Sequence, residues 1–133
     1  MTRAPVCVLP AVLALGVFLI GSARAAESED DKLTAFFKAY LEDEFQHKPL
    51  DATRLGDHRF DDRLDDVSPQ ARAADLERWK NVLADLPKKI DAEKLSPDGR
   101  IDFDILRHDL ERSVWLAENT HPFEEDPRVY NAY

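Results

Sequence analysis

Cysteine is nearly absent from this chain: Cys7 is the only one among 133 residues. It lies inside an apolar N-terminal run and not after it, so it does not read as a lipid-attachment site. Removal of that run would leave no cysteine, which excludes a disulfide framework even in an oxidising compartment. Glycine is also scarce, with four in the chain, too few to build a glycine-rich phosphate loop. Basic residues are outnumbered, 18 lysines and arginines against 27 aspartates and glutamates, for a formal charge of −9. Nucleic acid needs a basic face, as does an anionic membrane surface, so neither is an expected partner. No alternating apolar–polar stretch, internal repeat or low-complexity tract occurs, and no Gly-x-Ser-x-Gly elbow marks a serine nucleophile.

Histidine is just as sparse. His47, His58, His108 and His121 are never four apart, and none belongs to a His-Glu-x-x-His. Catalytic zinc needs about three protein ligands and an open position, so the sequence assigns neither catalytic nor metal-ligating residues. His108 sits beside Asp104, Asp109 and Glu111 on a polar helix face and reads as solvated. Ser28, Ser68 and Ser96 read as helix caps.

What is present begins with an export signal. Arg3 supplies a short positive segment, Val6 to Ile20 an apolar run, and Ala23-Arg24-Ala25 the small-x-small pattern of a signal-peptidase site. The run is shorter than the ~20 residues of a membrane-spanning helix, and Pro10 interrupts it. The expectation is cleavage near Ala25, with residues 1–25 as signal peptide, no stable membrane anchor afterwards, and residues 26–133 periplasmic or secreted.

Three amphipathic helices follow. Ser28-Glu29-Asp30-Asp31 fits a capping box, and Leu33, Phe36, Phe37, Tyr40, Leu41 and Phe45 repeat at helical spacing, predicting a helix over 29–46 that Pro49 stops. Ser68-Pro69 and Ser96-Pro97 are helix starts, with a capping serine and proline at the first position. They predict helices over 69–86, with Pro87 ending or bending the first, and 97–119. In the second, Ile101, Ile105, Leu106, Leu110, Val114 and Ala117 form the expected stripe, broadened by Phe103 and Trp115. His121-Pro122 and Asp126-Pro127 read as extended or turn geometry. The fold class is all-α, a small three-helix bundle whose many aromatics exceed what so short a core covers, and the excess points to further helices in a larger fold.

Residues 47–67 are the charged connection, with a turn at Gly56 and room for helical pieces. Asp57, Asp61, Asp62, Asp65 and Asp66 offer hard oxygens, but their spacing departs from a calcium loop. Arg54, Arg59 and Arg63 interleave with them, so Asp–Arg pairs that order the loop are the favoured reading.

The run Leu55-Gly56-Asp57-His58-Arg59-Phe60-Asp61-Asp62 carries a resemblance. It is led by Phe37-x-x-Tyr40 and followed by Arg100-Ile101-Asp102-Phe103-Asp104-Ile105-Leu106 and Asp126-Pro127-x-x-Tyr130. Over residues 33–133 the chain resembles the N-terminal part of bacterial proteins catalogued as domain of unknown function 885. The resemblance implies relatives several times longer, secreted or lipid-anchored and mostly helical. Many are metallopeptidase-like, with a downstream His-Glu-x-x-His, and similar in layout to the carboxypeptidase Taq group. N-terminal helices would then flank the substrate cleft. None of the zinc ligands, nor the catalytic glutamate, has a counterpart here, so zinc and a peptide substrate are expected only where the C-terminal part exists. The transferable candidates are Asp57, His58, Arg59 and Asp61, as cleft-lining or loop-ordering groups. Three readings result: an exported fragment of a family protein without catalytic machinery of its own, one part of a full zinc peptidase-like enzyme whose chemistry lies in absent residues, or a self-contained acidic helical binding module.

Overall fold

The computed structural model describes residues 28–132. The expected signal peptide lies outside the described residues. All regular structure within them is helical: α1 (Glu29–His47), α2 (Pro49–Arg54), α3 (Pro69–Lys89), α4 (Pro97–Asn119) and α5 (Pro122–Glu125), with 3-10 turns at His58–Phe60, Ala92–Lys94 and Pro127–Ala132. The fold is all-α. Among the described residues no helix is long and apolar enough to cross a membrane.

The three long helices start where their caps dictate. Ser28 and Asp31 form a complete capping box. Ser68 Oγ accepts from Ala71 N and Ser96 Oγ from Gly99 N, each followed by proline at the first helical position. These side chains satisfy amide donors that have no partner inside the helix. Pro49 does more than stop α1. Lys48 serves as C-cap of α1 and N-cap of α2, and Pro49 opens α2. Helix α2 ends in a Schellman closure: Gly56 takes φ +90°, Gly56 N donates to Thr53 O, and Asp57 N donates to Ala52 O.

One sequence expectation needs correction, and another is refined. Helix α3 runs through Pro87 to Lys89. The proline falls in the last turn and is exposed, where the lost hydrogen bond disrupts least of the helix. His121-Pro122 and Asp126-Pro127 each open a short helical piece, with proline at the N-terminal position that suits it.

The hairpin of α3 and α4 is the most extensive helix pairing. Its core holds Leu86, Ile90, Phe103, Leu106 and Leu110, closed by Leu33 of α1 and flanked by Phe36, Phe37, Tyr40 and Trp79. The inward face of α4 is therefore Gly99, Phe103, Leu106 and Leu110. Ile101, Ile105 and Trp115, expected in the stripe, are 58%, 62% and 59% exposed. Helix α4 is apolar on two faces, and the packed one is selected by Phe103 and by close approach at Gly99. A Cβ at Gly99 would lie 2.1 Å from Asp30 Oδ1. That carboxylate accepts from Ser96 N at 3.2 Å and Ser96 Oγ at 3.0 Å, while Glu29 Oε1 accepts from Asp91 N at 2.7 Å. The first turn of α1 thus clasps the start of α4.

Candidate functional site

The loop after α2 gathers all four candidate residues. Asp57 caps the 3-10 turn, its Oδ1 accepting from Arg59 N at 3.1 Å. Arg59 reaches back with Nε to both Asp57 oxygens at 3.0 Å. Its Nη1 and Nη2 form a fork on Glu42 of α1, at 3.1 and 2.7 Å. The Arg59 hydrogen bonds hold the Asp57 and Glu42 carboxyls below the usual carboxylate range, and those acids hold the guanidinium above its own. His58 Nδ1 lies 3.0 Å from Asp61 Oδ2, and Asp61 Oδ1 accepts from Thr53 Oγ1 at 2.6 Å. The Thr53 bond, followed by His58, keeps the Asp61 carboxyl low. Arg59 and Arg63 both lie over the Phe60 ring, at 5.1 and 5.6 Å.

The Asp–Arg pairing expected throughout the loop occurs only in part. Arg63 donates to Gln46 O at 2.9 Å, satisfying a carbonyl at the C-terminal end of α1. Asp65 accepts from Leu50 N and Asp66 from Ser68 N, each at 2.9 Å. Backbone amides outcompete arginines there because they are nearby and already ordered.

A second polar cluster joins α1, α2 and α3. Asp75 is 5% exposed, a position a carboxylate holds only with partners. Lys48 Nζ lies 2.5 Å from Asp75 Oδ2 and Arg78 Nη1 donates to Asp75 Oδ1 at 2.8 Å. Arg78 Nη2 donates to Glu44 at 2.9 Å. Its Nε is 3.1 Å from Asp43 Oδ2 without the alignment of a hydrogen bond. Burial works to lower the Arg78 pKa, and Glu44 and Asp75 outweigh it and hold it above its ordinary value.

Beyond Asp75 lies a pocket of about 500 Å³ between the start of α3, the end of α4, and α5. Leu76, Trp79, Leu116 and Phe123 provide apolar surface, and Lys48, Asp66, Arg72, Asp75, Arg112 and Glu124 the charge. The Arg72 guanidinium carbon sits 4.5 Å from the Phe123 ring centroid and Nη1 donates to Val67 O at 3.1 Å. None of Asp57, His58, Arg59 and Asp61 lines this pocket. Sequence reasoning passed over Arg72, Asp75 and Phe123. The one available signal was Asp75, an acid between Ala74 and Leu76 on the side of α3 that becomes buried.

With this geometry in view, the comparisons decide the family. Residues 49–131 match the profile of a family described as bacterial protein of unknown function, DUF885. The chain belongs to the DUF885 family. The match spans α2 to the final turn, so the charged loop and every helix lining the pocket fall within the DUF885 region. Neither curated proteins nor solved structures yielded a match.

Proposed function

We propose that this chain is an exported helical module of its family that binds a ligand in the α3–α4–α5 pocket and carries no catalytic step on residues 28–132. The observation behind the binding role is the pocket: about 500 Å³, with aromatic side chains, a buried carboxylate and cations in its wall. Size and lining match those of small-molecule sites. The non-catalytic half is supported by how the acid–base groups are used. His47 Nδ1 is 2.8 Å from Asp43 O, His58 meets Asp61, His108 is exposed on α4, and His121 precedes α5 at the pocket wall without a hydrogen-bonded acid among the described residues. Export rests on the apolar leader and its small-x-small site. Asp57, His58, Arg59 and Asp61 order the loop that joins α2 to α3 in this reading.

The test is a pocket-filling variant, Ala117→Trp. Ligand-observed NMR with a fragment library should give ligands that the folded variant no longer binds. A quenched-fluorescence peptide should show no turnover. An unchanged ligand set in Ala117→Trp overturns the pocket. Turnover that a substitution within 28–132 abolishes overturns the non-catalytic role.

The exposed outer face of α4 favours a second reading, in which the module abuts further helices of a longer polypeptide. Hydrolysis of a peptide by zinc-activated water would then come entirely from residues outside this sequence. An antibody to residues 96–120 separates the readings by the mass it detects in native cells.

A further inference from the structure

We infer that the pocket between α3, α4 and α5 recognises a monocarboxylate on an apolar or aromatic body, anchored by Arg72. This rests on the ligand-binding reading of that pocket.

Among the described residues, the cations around the pocket are held by carboxylates at hydrogen-bonding distance, with one exception. Lys48 and Arg78 share Asp75, Arg78 also holds Glu44, and Arg112 pairs with Asp109 at 2.9 Å. Arg72 has no such partner. Its side chain is 29% exposed, and the one carboxylate oxygen within 4 Å among the described residues, Glu124 Oε1, lies at 3.9 Å. That is beyond hydrogen-bonding distance, and the Glu124 side chain is 70% exposed. Among the described residues only Nη1 has a protein acceptor, Val67 O. A guanidinium carries five N–H donors in a plane, so Nε and Nη2 keep theirs for water or a ligand.

Phe123 covers the Arg72 guanidinium from one side, its ring centroid 4.5 Å from the guanidinium carbon. A carboxylate accepts two parallel hydrogen bonds from the edge of a guanidinium. Leu76, Trp79 and Leu116, in the same lining, offer apolar surface to whatever carries the carboxylate. Asp66 and Glu124 line the pocket too and repel a second negative charge, which selects a monoanion over phosphate or a dicarboxylate.

The experiment titrates the purified protein with 3-phenylpropionate, its neutral amide and inorganic phosphate, followed by two-dimensional NMR and calorimetry. The acid should bind at least tenfold tighter than the amide and than phosphate. Arg72→Ala and Arg72→Lys, each checked for unchanged helicity, should weaken the acid at least tenfold and leave the amide unchanged, since lysine keeps the charge but lacks the fork. Equal binding of acid and amide overturns the inference, as does phosphate binding as tightly as the acid or full acid binding by folded Arg72→Ala. Equal binding that Ala117→Trp abolishes removes the carboxylate and keeps the pocket. Absence of binding by all three probes removes the carboxylate, and the fragment screen then decides the pocket by itself.

Discussion

Lys48 and Asp75 form an ion pair of 2.5 Å between the α1–α2 junction and the first half of α3. The lysine is the single residue between two helices, so the pair fixes how α1 and α2 together meet α3. Lys48→Met leaves Asp75 with Arg78 alone and should cost about 2 kcal/mol. Asp75→Asn strands two partly buried cations and should cost more, about 3 kcal/mol. Urea denaturation of both variants, with the double variant Lys48→Met/Asp75→Leu regaining most of the loss, checks the ranking.

Gly99 and Asp30 compete for one volume. In Gly99→Ala the new methyl displaces the Asp30 carboxylate from Ser96. Two hydrogen bonds are lost, against a helix-propensity gain of up to ~1 kcal/mol for replacing glycine. The expected net is a loss of about 1 kcal/mol. In an Asp30→Ala background the same change should stabilise, so the sign reversal in a double-mutant cycle is the readout.

The two apolar faces of α4 should respond oppositely. Leu110 is 1% exposed, and Leu110→Ala should cost about 2–5 kcal/mol. Ile105 is 62% exposed, and Ile105→Glu should alter stability by less than about 0.5 kcal/mol while lowering the binding of a hydrophobic dye. Thermal melts and dye fluorescence on the pair decide it.

That contrast marks where the sequence was readable. The Ser-Pro starts and the apolar spacing placed the three long helices to within a few residues, because caps and stripes are local signals. The orientation of α4 was not readable. Ile101 and Ile105 suit helical spacing as well as Phe103 and Leu106 do, and Gly99 announces its close approach to Asp30 only once α1 is docked. The loop was partly legible: Arg59 pairs with Asp57, but its other partner, Glu42, lies seventeen residues away. The pocket was hidden for the same reason, since Arg72 and Phe123 meet only through the tertiary fold.

Acid should loosen the loop and the α1 clasp. The Asp91 amide and then Lys32 lower the Glu29 pKa, and Arg59 lowers that of Asp57. A carboxyl depressed in the folded state stabilises fully above its unfolded value near 4, and that stability is lost as pH falls through the folded value. The urea midpoint should drop between about pH 4.5 and 3, and the drop should shrink in Glu29→Gln and Asp57→Asn.

Alkali acts through Tyr40. Burial, then the nearby charges of Glu44 and Asp109, push its phenol up to about 12. The unfolded chain loses that proton near pH 10, so the Tyr40 contribution declines as pH rises from there to about 12. Ultraviolet titration should show one phenolate forming late, and Tyr40→Phe should remove it.

The clasp between Asp30 and Ser96 joins positions 66 residues apart, whereas α3 and α4 are joined by a short connector. The hairpin can close locally, but α1 must wait for a distant partner. Synthesis delivers α1 ahead of α3 and α4, so Leu33, Phe36 and Phe37 stay uncovered until those helices arrive to complete the shared core. The helix made earliest is locked latest, and that interval is when the nascent chain is most open to aggregation or to capture by a chaperone.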